Sequence, residues 1–372
     1  MNITSARMGN LHVILTALFK KMGIDYVIPP PVTARTYEIG FKLSPEQVCL
    51  PFKICIGSFV EAIEKGAKTI VMAGGNGPCR FGFYGMLQEK ILNDAGYRFK
   101  MLVLDQDNIS KVLNELSSVA GLNKLSVASA FVFAWKILRL SEENEKLSHY
   151  YRAHCSDKRA VDRIESQVES LLLKTTTAEQ IGKLKRELKY YYSSELKADI
   201  DPREVMRIGI LGEIYMMLDS EANMNINRRL GYLNVWVDKT VYLSSWLLKL
   251  TSLDYFSKTS YAAQKKTARP YITSDIGGKG VQTIASAIDY SRGGFDGLIH
   301  ITPFSCMPEL VATTILPKVC SDRNIACLYL TYDGHTSEAA FVTRLEAYVD
   351  MIRMGRPRAA VETRVKKGFI YA

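Results

Sequence analysis

The sequence lacks any long apolar run. Its uncharged apolar stretches, such as Ser126 to Trp135, are far shorter than a bilayer-spanning helix. It also lacks a secretory pattern. The start, MNITSARMGNLHVILTALFKKMG, has a short apolar run that Lys20 and Lys21 end. The seven cysteines are an odd number scattered over positions 49, 55, 79, 155, 306, 320 and 327. That is neither a small secreted disulfide framework nor the compact spacing of a ferredoxin. Low-complexity segments are missing as well. So is an ATPase phosphate loop: in SDIGGKGVQT, residues 274–283, Lys279 is followed by Gly280 and not by Ser or Thr. These absences lead to the expectation of a cytoplasmic protein with reduced thiols and no membrane span. Any ATP hydrolysis would then belong to another protein.

What is present is ordinary for a globular chain. Hydrophobic residues make up 47% and charged residues 23% of 372 residues, enough for two or three domains with sizeable cores. The net charge is +10, but the basic residues are dispersed. The densest run is Arg353, Arg356, Arg358, Arg364, Lys366 and Lys367. This reads as a field for an acidic partner or an anionic ligand and not as a nucleic-acid surface.

Strand-like and helical runs alternate over residues 1–140: helix 10–22, strand 25–30, helix 52–66, strand 68–75, helix 83–95 and strand 99–107. The rhythm returns over residues 203–372, with strands at 205–215, 296–304 and 326–333 and helices at 281–291, 308–321 and 337–354. Such alternation predicts two Rossmann-like, doubly wound parallel-sheet lobes. Residues 141–202 are charged, nearly free of glycine until Gly182, and apolar at three- and four-residue steps. They read as two or three amphipathic helices that connect the lobes or mediate dimerisation.

Three cysteines occupy loop positions on this map. Cys49 precedes Leu50-Pro51 and a helix. Cys79 follows the strand at 68–75, within NGPCRFG. Cys306 follows the strand at 296–304, with Met307-Pro308-Glu309 opening a helix. Proline is at home in a first helical turn. The three therefore share one expected address, the carboxyl edge of a parallel sheet at helix N-termini, where open α/β sheets bind ligands. The free N–H groups and partial positive charge there are expected to lower a thiol's pKa and favour the metal-binding thiolate. Three thiolates suit an iron–sulfur cubane with one iron not held by cysteine. Catalytic zinc, or helix-start cysteines without a ligand, also fit the spacing. Cys55, six residues after Cys49, is a candidate fourth ligand. Cys155, mid-helix, reads as a core or surface thiol, and Cys320 and Cys327 read as packing residues.

The stretches CLPFK (49–53), NGPCRFGFYG (76–85), ILGEIY (210–215), PFSCMPE (303–309) and TSEAAFVTRLEAYVD (336–350) resemble the 2-hydroxyacyl-CoA dehydratase-like iron–sulfur proteins. Within them the likeness is to the activase-associated, CoA-activase-type branch related to double-cubane cluster proteins. The resemblance covers nearly the whole chain outside the helical middle. It implies that Cys49, Cys79 and Cys306 hold a [4Fe-4S] cluster. It also implies reduction by a separate ATP-hydrolysing iron–sulfur activator, a homodimer or a heterodimer with a related subunit, and an acyl-CoA or other small substrate. A double cubane would take about six cysteines, which favours one cubane per chain. The sequence departs from the pattern at Gly57-Ser58, where relatives often have Gly-His. It departs again at Asp333-Gly334-His335-Thr336, where they often have Asp-Glu before the threonine.

Other candidates surround the cysteines. Glu213, in a strand-to-helix turn, is expected to point toward the sheet edge. Arg80 could offset the charge of a thiolate-held cluster, and Glu309 lies in a first helical turn where the dipole favours a carboxylate. The Gly-rich SDIGGKG segment could cradle an anion such as a CoA phosphate or simply make a turn. Lys53 reads as solvated or anion-binding. Thr343, Arg344 and Glu346 read as an interior polar network or a surface ion pair. His154 and His335 are isolated and are assigned to no site.

Overall fold

The computed structural model describes residues 2–75, 79–105, 109–250 and 260–355. Asn76 to Pro78 of the first cysteine-bearing glycine loop, and the basic residues Arg356 to Lys367, lie outside them. The first lobe runs β1 (Asn2–Ser5), α1 (Leu11–Lys21), β2 (Asp25–Tyr26), α2 (Ala34–Leu43), α3 (Leu50–Glu64), β3 (Thr69–Gly74), a 3-10 turn (Arg80–Phe83), α4 (Tyr84–Asp94), β4 (Lys100–Asp105) and α5 (Ile109–Ala120). Three helices follow: α6 (Lys124–His154), α7 (Lys158–Lys174) and α8 (Ala178–Glu195). The second lobe runs β5 (Met206–Gly212), α9 (Ile214–Leu218), α10 (Ile226–Tyr232), β6 (Val235–Lys239), α11 (Leu243–Leu250), α12 (Tyr261–Ala268), α13 (Gly280–Arg292), β7 (Gly297–Pro303), α14 (Met307–Arg323), β8 (Ala326–Tyr332) and α15 (Glu338–Gly355).

Among the described residues there are two parallel four-stranded sheets, ordered β2-β1-β3-β4 and β6-β5-β7-β8. The α/β, doubly wound expectation is met, and both lobes wind the same way. Each sheet reverses its strand order between its first and third strands. This makes a switch point at the carboxyl ends of β1 and β3, and another at those of β5 and β7. Both faces of the second sheet are covered, so every residue of β7 is buried. Ile208, Ile210, Ile299 and Ile301 pack with Leu230 of α10 and Phe341 and Leu345 of α15. Leu211 and Leu298 pack with Ile284 and Ile288 of α13 and Leu316 of α14. The first of these cores also contains Phe52, Ile56, Ile70 and Met72 of the first lobe, so the lobes share apolar interior.

Three sequence expectations shift. The strand expected over 25–30 stops at Tyr26, because Pro29, Pro30 and Pro31 cannot donate to a ladder. The boundary expected near residue 140 falls inside α6, which runs unbroken because no glycine or proline interrupts it. Its first half packs Val127, Ala130 and Ala134 against Ile14 and Leu18 of α1. Its second half meets α7, α8, β6 and α10, so one helix backs both lobes. Cys155 is the C-cap of α6 and not a mid-helix residue, and of the core and surface placements left open for it the core is the one observed. β1 and α2 had no clear signature in the sequence. Among the described residues no single helix is long and apolar enough to cross a membrane.

Candidate functional site

Each of the three loop cysteines stands at a helix start. Cys49 is the N-cap of α3 and Cys306 of α14, with Pro51 and Pro308 in the first turns. Cys79 is the N-cap of the 3-10 turn that leads into α4. β3 delivers Cys79 and β7 delivers Cys306, both beside the switch points. Ser305, with φ of +67°, takes a left-handed turn that few side chains tolerate and sets the direction of Cys306.

Hydrogen bonds tie the three cysteine loops to one another. The Arg80 guanidinium donates to the Gln47 carbonyl at 2.8 Å and to the Ser305 carbonyl at 2.7 Å. Ser305 Oγ donates to the same Gln47 carbonyl at 3.2 Å, and the Leu50 N–H donates to the Phe304 carbonyl at 3.3 Å. Arg80 therefore clasps the loops next to Cys49 and Cys306 from its place beside Cys79. The glycine segment 274–280 closes another side. Gly278 has φ of +50°, and a Cβ there would lie 2.9 Å from Pro308 Cγ and 3.9 Å from Cys79 Sγ. The lobes also meet where Tyr215 Oη donates to the Arg7 carbonyl at 2.6 Å and the Gly9 N–H to Asp219 Oδ2 at 3.1 Å.

The thiols titrate against expectation. Burial pushes Cys49 up to about 11, and it raises Cys79 and Cys306 too. N–H groups of Phe52, Phe81 and Glu309 pull the three down, as a helix start should, but by less than burial pushes up. The Glu213 charge raises all three, and Glu309 raises Cys79 and Cys306. The three sulfurs thus feel the charge of Glu213, and two of them that of Glu309. A cation bound by them would have to displace thiol protons and would be attracted by the carboxylates. Among the described residues no three His, Cys, Asp or Glu side chains lie close enough to share one ion. Cys49 Sγ is hydrogen-bonded to Tyr84 Oη.

Glu213 directly follows β5 and caps α9, accepting from the Met216 N–H at 3.0 Å. Gly212 makes this turn: its φ is +133°, and a Cβ would stand 2.0 Å from the Ile301 carbonyl oxygen. Gly212→Ala should cost at least roughly 1–3 kcal/mol, the range for a residue forced into glycine-only backbone. A melting curve unchanged by the substitution would contradict this. Burial, reinforced by Glu309, lifts Glu213 from 4.5 to about 7. The folded chain then holds this proton more tightly than the unfolded chain. The stabilisation is complete below the unfolded value, declines as pH rises toward about 7, and is gone above it. Glu213→Gln keeps a capping oxygen and removes that slope. Urea unfolding of the cluster-free chain should show the variant gaining on wild type by up to roughly 3 kcal/mol between about pH 4.5 and pH 8. Parallel pH profiles would refute the assignment.

No protein-family model and no curated protein matches the chain. The remaining candidates are therefore placed by geometry alone. Glu309 is fully buried: Thr283 Oγ1 donates to its Oε1 at 3.1 Å, and His300 Nε2 pairs with its Oε2 at 2.9 Å. It fastens α14 to α13 and β7 at the back of the pocket. Cys55 is buried in the α3 core, and burial raises its thiol. Lys53 is not solvated: it is buried, stands 4.3 Å from the Phe41 ring centre, and is lowered by desolvation. Thr343, Arg344 and Glu346 are exposed, so the interior network expected for them is not formed. Tyr84 was missed. Its adjacency to Cys49 spans 35 positions, and nothing local announces it.

Proposed function

We propose that the chain is an iron–sulfur protein that takes low-potential electrons from an ATP-hydrolysing iron–sulfur activator. With them it carries out, or relays electrons for, a difficult reduction or radical dehydration of the 2-hydroxyacyl-CoA dehydratase type. The observation that supports this reading is the meeting of the Cys49, Cys79 and Cys306 loops, one from each lobe's strand–helix turns among them, clasped by Arg80. The donor set fits a [4Fe-4S] cubane. Thiolates on separate irons stand further apart than ligands of one ion, and each cysteine stands at a helix start, whose positive end favours the thiolate. Only three cysteines reach the pocket edge, so one iron is left for a non-cysteine ligand. A double cubane would need a second set, such as one from a related subunit in a dimer.

When bound, such a group supplies one-electron chemistry at low potential. The chain's own residues do the rest. Cys49, Cys79 and Cys306 would hold it, and Arg80 fixes their relative positions. Glu213, raised by burial so that it exchanges its proton around neutral pH, can take up or deliver a proton near the thiols. A second reading has the chain as an electron relay without turnover of its own. Titration of anaerobically purified protein with titanium(III) citrate tests the proposal. One-electron uptake per chain with a paramagnetic reduced state is expected, and no uptake would sink it. The reduced protein should then dehydrate a 2-hydroxyacyl-CoA if it is the catalyst, and leave it unchanged if it is the relay.

A further inference from the structure

The buried phenol beside the first cysteine has no part in holding a ligand, yet its place is tightly determined. Tyr84 is 6% exposed. It opens α4, five residues after Cys79. Phe52, three residues after Cys49, meets its ring edge-on at 4.9 Å and 87°, and Phe81 packs at 5.3 Å. The ring is thus wedged between elements from two different cysteine loops. A buried phenol O–H needs a hydrogen-bond partner, and the partner here is Cys49 Sγ.

We propose that Tyr84 is a positioning residue that sets the reduction potential of the centre through Cys49, by donating its O–H to the Cys49 sulfur. This rests on the iron–sulfur reading above. An iron-bound thiolate has no proton to give, so the direction of the bond is fixed: the phenol donates and the sulfur accepts. Donation to a ligand sulfur draws electron density from it. The more negative, reduced state gains more from that than the oxidised state, so the bond raises the potential. A centre filled by a low-potential donor benefits from such a bond, because it makes the electron easier to accept and to retain. Tyr84 also reaches Cys49 from the polypeptide that carries Cys79, so one side chain couples two ligand loops.

The test is a redox titration of the full chain, purified anaerobically with its iron–sulfur content and followed by the spectrum of the reduced state. Tyr84→Phe keeps the ring and its aromatic packing and deletes only the O–H. Its reduced-to-oxidised ratio at a fixed potential should fall about tenfold, which for one electron is a midpoint about 59 mV lower. Tyr84→3-fluorotyrosine keeps the bond with a stronger donor and should move the midpoint upward. The fluorinated chain carries the test by itself if the phenylalanine variant does not retain iron. Shifts of opposite sign support the assignment, since a purely structural role would not reverse with donor strength. Midpoints that do not move in iron-loaded variants overturn the role of Tyr84 and leave the cluster reading standing. A wild-type chain that holds no iron–sulfur centre overturns both.

Discussion

Replacing Cys49, Cys79 or Cys306 singly by alanine is expected to abolish most of the iron retained by the anaerobically purified chain. Cys155→Ala should leave the iron content unchanged. The three loop thiols are half-buried at helix starts, where loss of a sulfur atom removes little packing. The apo fold should therefore survive each change. For the metal the loss is severe: a cubane held by three protein thiolates has no spare ligand, and a missing one exposes an iron to exchange. Cys155 is 2% exposed at the end of α6, so its replacement acts on packing alone. The check is iron per folded chain, with circular dichroism as the control for folding. Equal iron in all four variants would mean that the loops converge for another reason.

Arg152→Ala is expected to give the largest loss of stability among single changes in the helical middle, about 3–5 kcal/mol. Arg152 is 1% exposed. Its Nε donates to Asp162 Oδ1 at 2.8 Å, and its Nη2 pairs with Glu165. Those carboxylates also bind Ser148 at 2.6 Å and Tyr232 at 2.7 Å, so the guanidinium ties α6, α7 and α10 together. Truncation leaves Glu165 without its cation. It also opens a cavity beside Gly231, where the arginine stem packs so closely that a Cβ on the glycine would stand 2.7 Å from it. Arg152→Lys should fall between, since an ammonium keeps the charge but not the two-pronged geometry. Chemical denaturation decides the order; an alanine variant as stable as wild type would contradict it.

Much of the architecture could be read from the sequence, because parallel strands buried on both faces are continuous apolar runs separated by helices. TIVMAG, MRIGILG and GLIHITP announce β3, β5 and β7. The helix-start placement of Cys49 and Cys306 was legible for a local reason: proline two residues on fixes the first turn. What escaped was set by contacts far apart in sequence. Tyr84 meets Cys49, Arg80 meets Gln47 and Ser305, and Gly278 approaches Cys79 only once both lobes are folded. The sign of the thiol pKa shifts escaped for the same reason. A helix start can be inferred locally, but burial and the approach of Glu213 and Glu309 cannot. The 31-residue helix α6 was divided because its apolar and charged halves look like different segments, whereas they face different neighbours.

The most direct test of the central claim is the iron and acid-labile sulfide content, with the visible spectrum, of the chain purified without oxygen. The expected result is a brown protein with about four irons and as many sulfides per chain, bleaching on reduction. A folded, colourless chain that carries zinc or no metal under those conditions would contradict the claim.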